Sequence, residues 1–388
     1  MSGYDGRGTI RYHRMMCQQH RYYKKRFKIP MSIGPFNKNI RPQSHFSHFT
    51  VEAEWPEGNS ITNCYVSDWQ MEIQNDAKRP YFQRILRFLY SYLKFCISGC
   101  FWPIFTRQIW AAIAFSVPTA GLLARLLLLS LFVLPAIALI RAFELNLTIG
   151  IIIGLMLIYP FLLAYARVSR YFKSLYEQLL ADAFILFRRY ADNDTRKVEA
   201  QAATFSREMI DLIDQERPDE VFIIGHSGGC FHALPVHKAV LEARRSGSGH
   251  KNYDILQVTL GSLVPYGMVH KKSYYFRTLA TQMLEDSDTH WIEYFAPHDP
   301  YSTPYINLGK DYGFNLSTPI PARYEVRSAL YGKVFSKRKI RLFKFNPLRM
   351  HFQYFMANDV AGSYDFFYIL TNPNALKNNL NPLAENAD

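Results

Sequence analysis

The chain has 388 residues, 49% of them hydrophobic and 15% aromatic, with a formal net charge of +13. That is enough apolar material for one large domain or two small ones, and it excludes a disordered or low-complexity chain. The basic excess selects nucleic acid or an anionic membrane face as partner; without zinc-finger spacing or an RNA-binding signature, the membrane is favoured.

The opening Gly3-Tyr4-Asp5-Gly6-Arg7-Gly8 leads into a polar, basic run with helical spacing from Thr9 to about Phe27. A glycine-rich loop that opens a helix can aim backbone N–H groups at developing negative charge; a frayed basic terminus is the plain alternative. The strand that usually precedes such a loop is not visible. A polar, basic start also predicts no cleavable signal peptide. Phe46–Trp55 and Ile61–Trp69 read as strands around the turn Pro56-Glu57-Gly58-Asn59. Gln70 to about Lys94 reads as helix interrupted at Pro80, carrying Lys78, Arg79, Arg84, Arg87 and Lys94 toward the apolar region. Five scattered cysteines (Cys17, Cys64, Cys96, Cys100, Cys230) argue against a disulfide framework and for a reducing compartment. Cys96 and Cys100 lack a second ligand pair nearby, so neither a metal nor a cofactor is expected.

Ala120 to Ile140 is almost wholly apolar, broken by Arg125, and Leu147 to Ala166 is apolar and uncharged. Each has about the length of a bilayer-crossing helix, and Arg141–Asn146 between them permits only a tight hairpin. Arg125 in mid-span would cost roughly 2.5–3.5 kcal/mol. Three readings stay open: a full crossing with Arg125 snorkelling to the near interface, a hairpin reaching part-way, or two core helices of a soluble protein. Arg84, Arg87, Lys94 and Arg107 before the spans, and Arg167, Arg170 and Lys173 after them, place both flanks in the cytoplasm by the positive-inside bias. Trp102, Trp110, Tyr159 and Tyr165 suit interfacial belts. The expected organisation is therefore a single domain formed by 1–107 and 169–371, a membrane hairpin at 108–168 with spans at about 120–140 and 147–166, and a mobile Asn/Pro/Ala-rich tail at 372–388. The expected location is a bacterial inner membrane, multi-pass, with the domain in the cytoplasm.

Ser169 to about Tyr190 and Thr195 to Gln215 read as amphipathic helices. Val221-Phe-Ile-Ile then runs into Gly225-His226-Ser227-Gly228-Gly229 and a helical segment. A buried strand entering a sharp turn and a helix has this pattern, with small residues around a strained central serine. A glycine-rich turn with a capping serine is the bland alternative. Tyr253–Leu260, Trp291–Phe295 and Lys339–Phe345 read as further strands, and their alternation with helices predicts a mainly parallel sheet.

A serine hydroxyl needs a histidine base oriented by a carboxylate, in the chain order Ser, Asp or Glu, His. Asp299 follows the strand Trp291–Phe295, and His351 follows the expected strand Lys339–Phe345. Their alternatives are a turn-capping aspartate and a core histidine. His298 adjoins the acid, Asp286 and Asp288 precede their strand, and Asp359 breaks the order. His226, His232 and His237 read as packing residues, and Pro235 should kink the helix that carries the last two. The backbone N–H of Gly228 would be the strong oxyanion donor, with Tyr4 as the second.

This elbow, with Asp299 and His351 in order, resembles the α/β-hydrolase superfamily, particularly its lipase- and esterase-like members. The opening loop looks like that of uncharacterised bacterial membrane-associated hydrolases with a Gly-aromatic-Asp-x-Arg-Gly motif. The resemblance covers roughly 200–388 well and 1–70 weakly, with the hairpin outside it. It implies an α/β-hydrolase-like, mainly parallel sheet flanked by helices, with the hairpin inserted. It also implies hydrolysis of a lipid-like ester through an acyl-Ser227 intermediate. Acyl transfer to an alcohol by the same residues, and a catalytically inactive membrane scaffold, are the alternatives.

Overall fold

The computed structural model describes residues 1–4, 8–41, 44–69, 73, 75, 78–100, 102–103, 106, 109–144, 146–247, 249–302, 308, 323–344 and 346–382. Asp5, Gly6, Arg7 and Arg107, most of 70–77, and 383–388 lie outside the described residues. The basic run after the opening loop forms α1 (Ile10–Phe27), which buries Tyr12, Met16 and Tyr23. Strands β1 (Met31–Ile33), β2 (Phe46–Trp55) and β3 (Gly58–Ser67) make an antiparallel meander. Its hairpin is tighter than expected: Trp55 pairs with Gly58, so only Pro56 and Glu57 stand in the loop.

Helix α2 (Tyr81–Ile97) starts directly after Pro80, which fills the N-cap position. The apolar stretches form two long helices, α3 (Ile109–Ala142) and α4 (Leu147–Ser174), with mean hydropathy 2.5 and 2.3 in their most apolar windows. Both are long and apolar enough to cross a membrane. The root of α3 is packed into the domain at Ala111, Ala112, Ala114, Phe115, Pro118 and Gly121. Beyond it, Leu123, Leu127, Leu131 and Leu155 are all exposed. Arg125 is paired with the domain. It turns back to Glu177, with Nη1–Oε1 at 2.7 Å and Nη2–Oε2 at 2.8 Å. The expected single helix from Ser169 to Tyr190 is broken at Tyr176, which adopts φ 59, and α5 (Glu177–Ala191) follows. Helix α6 (Arg196–Glu216) agrees with its pattern.

The second sheet is parallel, in the order β4 (Glu220–His226), β5 (Asp254–Leu260), β6 (Trp291–Phe295), β7 (Tyr324–Ser328). Leu256, Val258, Leu260, Ile292 and Tyr294 are buried to within 1% exposure, as expected of a parallel sheet covered on both faces. Helix α7 (Cys230–Ser246) follows β4, and α8 (Tyr274–Glu285) lies between β5 and β6. Met1 lies along the outer edge of β4: its N donates to Ile224 O (2.5 Å) and its carbonyl accepts from His226 N (3.2 Å). This brings the opening loop to the strand that carries Ser227.

The expected strand Lys339–Phe345 is instead helix α9 (Lys337–Lys344). Ile340 and Leu342 suggest alternation, but burial follows Ile340 and Phe343, three apart, and leaves Leu342 63% exposed. The fourth strand is β7, whose half-buried Tyr-Glu-Val-Arg-Ser carries too little apolar signal to be read from pattern. A short helix α10 (Pro347–His351) and then α11 (Phe366–Thr371) follow α9. Residues 372–382, read as mobile, pack against the sheet. Ala375 and Leu380 are fully buried, and Leu380 O accepts from Tyr294 Oη at 3.4 Å.

Candidate active site

Strand β4 ends at His226, and Ser227-Gly228-Gly229 makes a single tight turn into α7. Ser227 holds φ 55, a left-handed conformation that costs a non-glycine residue of order 1–3 kcal/mol. The helix leaves no room for a side chain at Gly225, and the N-terminal backbone leaves none at Gly229. A Cβ on Gly225 would lie 2.8 Å from Ala233 Cβ, and one on Gly229 would lie 2.3 Å from Ser2 O. The G-x-S-x-G spacing is therefore a steric requirement here.

Asp299 follows β6 and is fully buried. Its carboxylate accepts from Tyr301 N (3.0 Å) on Oδ1, and from Tyr354 Oη (3.1 Å) and His351 Nδ1 (2.8 Å) on Oδ2. The Tyr354 phenol is held well above its ordinary pKa by burial and then by Asp299, so it stays a donor. Because a carboxylate accepts from Nδ1, His351 carries its proton there and leaves Nε2 as an acceptor. His351 stands at the end of α10, a helix capped by Asn346, which accepts from Arg349 N at 2.9 Å. It does not follow a strand, as its sequence position suggests, but it reaches Asp299 all the same.

Ser227, His351, Gly3 and Tyr4 line one cleft. His351 Nε2 is buried and makes no hydrogen bond, so the Ser227–His351 contact is not closed. Gly228 lies against the opening loop. A Cβ built on it would be 3.2 Å from Tyr4 Cβ and 3.4 Å from Tyr4 N, so the two residues expected to supply the oxyanion amides are neighbours.

His226 is a linking residue. Gly3 N donates to Tyr12 Oη at 2.7 Å, Tyr12 Oη contacts His226 Nδ1 at 3.0 Å, and His226 Nε2 contacts the His351 carbonyl at 3.4 Å. A carbonyl only accepts, so Nε2 carries the proton and Tyr12 donates to Nδ1. Burial, and then His351, hold the His226 pKa well below its ordinary value, so the ring is neutral. Tyr12, Tyr301 and Tyr354 were not singled out from sequence. Each is one aromatic among many, and only the folded chain shows what its oxygen or amide meets.

The competing groups lie elsewhere. Asp286 and Asp288 hold Arg245 at the surface (2.8 and 3.0 Å), and Asp359 accepts from Tyr22 (2.7 Å) and Lys339 (3.3 Å). His232 contacts Gln201 at 2.9 Å, and His237 is fully buried. Among the described residues no group of three or more His, Cys, Asp or Glu could hold a metal ion. No protein-family model, curated protein or solved structure matches the chain.

Proposed function

We propose that the chain is a membrane-attached serine hydrolase of α/β-hydrolase type that cleaves lipid-like carboxylic esters. The observation that carries this reading is the buried Asp299–His351 pair. Its free Nε2 lines the same cleft as an elbow serine held at φ 55. Ser227 Oγ would attack the ester carbonyl carbon while His351 Nε2 takes its proton. The tetrahedral oxyanion would lie against the Gly228 and Tyr4 amides. Its collapse breaks the ester C–O bond and passes the proton from His351 to the departing alcohol. Water, deprotonated by His351, then releases the acid and restores Ser227.

The lipid assignment rests on the cleft's apolar wall. Phe115 comes from the root of α3, and Leu179, Leu180, Ala183 and Phe187 come from α5, which the hairpin grips through Arg125 and Glu177. An acyl chain in this cleft would lie beside the base of the membrane hairpin. With basic flanks at both ends of the hairpin, the domain would face the cytoplasm of a bacterial inner membrane.

The unmade Ser227–His351 hydrogen bond favours a second reading, an inactive scaffold. One experiment separates the two. A fluorophosphonate probe is expected to label the wild-type protein and to leave Ser227→Ala unlabelled, with ester hydrolysis lost in parallel. Equal labelling of both proteins, or none of either, overturns the hydrolase reading.

A further inference from the structure

Helix α2 is apolar on two opposite faces. Ile85, Phe88 and Phe95 are buried, and so is Arg84, whose Nε bonds Asp182 at 3.1 Å. The opposite face carries Phe82 (70% exposed), Leu86 (50%), Tyr90 (66%), Leu93 (59%) and Ile97 (85%). Spacings of four, four, three and four residues put them in one stripe along the helix. A surface helix ordinarily carries polar residues there. Half-buried Arg87 stands at the edge of this stripe, as does Lys94, whose side chain is 44% exposed and pairs with Asp192 at 3.0 Å. The stripe is not an isolated patch. Tyr92 Oη lies 3.3 Å from Ser116 Oγ on the root of α3. Tyr81 Oη lies 3.3 Å from the Glu177 carboxylate that grips Arg125. On that root Trp110 and Ile113 are 58% and 49% exposed, so large apolar side chains are exposed on α2 and on the hairpin root that it touches.

We propose that α2 is an interfacial membrane helix. Its Phe82-to-Ile97 stripe lies among the acyl chains just below the headgroups, and Arg87 and Lys94 lie at the level of anionic headgroups. Apolar length, an aromatic neighbour at headgroup depth and bordering cations are the features that hold a helix in that layer. The occupant of this face is the lipid bilayer, by continuity with the hairpin and by the charge of its border. The proposal rests on the hairpin being in the membrane, and it is independent of catalysis.

The test uses the full chain in vesicles of phosphatidylethanolamine and phosphatidylglycerol. The photo-crosslinking residue p-benzoylphenylalanine is placed singly at Leu86, Leu93 or Ile97, at Leu131 in the hairpin, or at Lys24 on the exposed face of α1. Lipid adducts are expected at the three α2 positions and at Leu131, and none at Lys24. Adducts at Leu131 but none on α2 overturn the interfacial helix alone. A protein–protein adduct on α2 shows a second copy on this face and also overturns it. No lipid adduct at Leu131 removes the membrane hairpin and this proposal together, and leaves the probe-labelling experiment on Ser227 untouched.

Discussion

Tyr12 joins the opening loop to the elbow through a single oxygen atom. It accepts from Gly3 N at 2.7 Å and donates to His226 Nδ1 at 3.0 Å, and the far side of that ring meets the His351 backbone. Removing the hydroxyl leaves a buried amide and a buried ring nitrogen unpaired, a cost of about 1–3 kcal/mol each. It also frees the loop that places Tyr4 beside Gly228. Tyr12→Phe is therefore expected to lower kcat about 10-fold or more while KM changes little, the pattern of a lost transition-state contact. Rates are normalised to the probe-reactive fraction. A variant that melts earlier but keeps full kcat per reactive site would show that Tyr12 only supports the fold.

At the scale of elements, the Arg125–Glu177 pair fastens the hairpin to the domain. Glu177 is 2% exposed, and both of its oxygens receive guanidinium nitrogens. Bidentate pairing of this kind is the strong form of the interaction. It also answers how an arginine survives at the start of an apolar span: its charge is met by a carboxylate from α5. A Cβ on Gly121 would already lie 2.7 Å from Glu177 Oε1, so α3 and α5 are close at this point. Arg125→Met should cost about 3–5 kcal/mol, because it strands a buried carboxylate. Arg125→Met with Glu177→Leu should recover most of that loss in thermal melts of the detergent-solubilised protein. Losses that simply add would show that the two charges do not act as a unit. The same scale shows where pattern reading fails. In Lys337–Lys344 two apolar residues alternate, yet burial chose the three-residue spacing. In Tyr324–Ser328 the strand is made by its ladder to β6 rather than by apolar content.

For the whole molecule, the two long helices are the dominant exposed feature, and the described residues of the domain lie before and after them. A chain that inserts this hairpin should stay in the pellet when membranes are washed with alkaline carbonate, whereas a peripherally held protein is released. Release into the supernatant would show that the hairpin does not enter the bilayer. The elbow and the hairpin were legible in the sequence because each is dictated locally. Gly225 is kept small by Ala233 and Cys230 a few residues on, and a bilayer-length apolar run announces itself by composition alone, whereas the backbone of Met1 and Ser2 that excludes a side chain at Gly229 is met only in the folded chain. Asp299 and His351 could be picked out by chain order, although the strand assigned before His351 was wrong. The Asp299–His351 bond, the tyrosines that hold it, the Arg125–Glu177 pair and the second apolar face of α2 were decided only by the tertiary structure. Each joins residues tens to hundreds of positions apart or depends on which side of a helix the domain covers, and periodicity reports a helix's faces without saying what meets them.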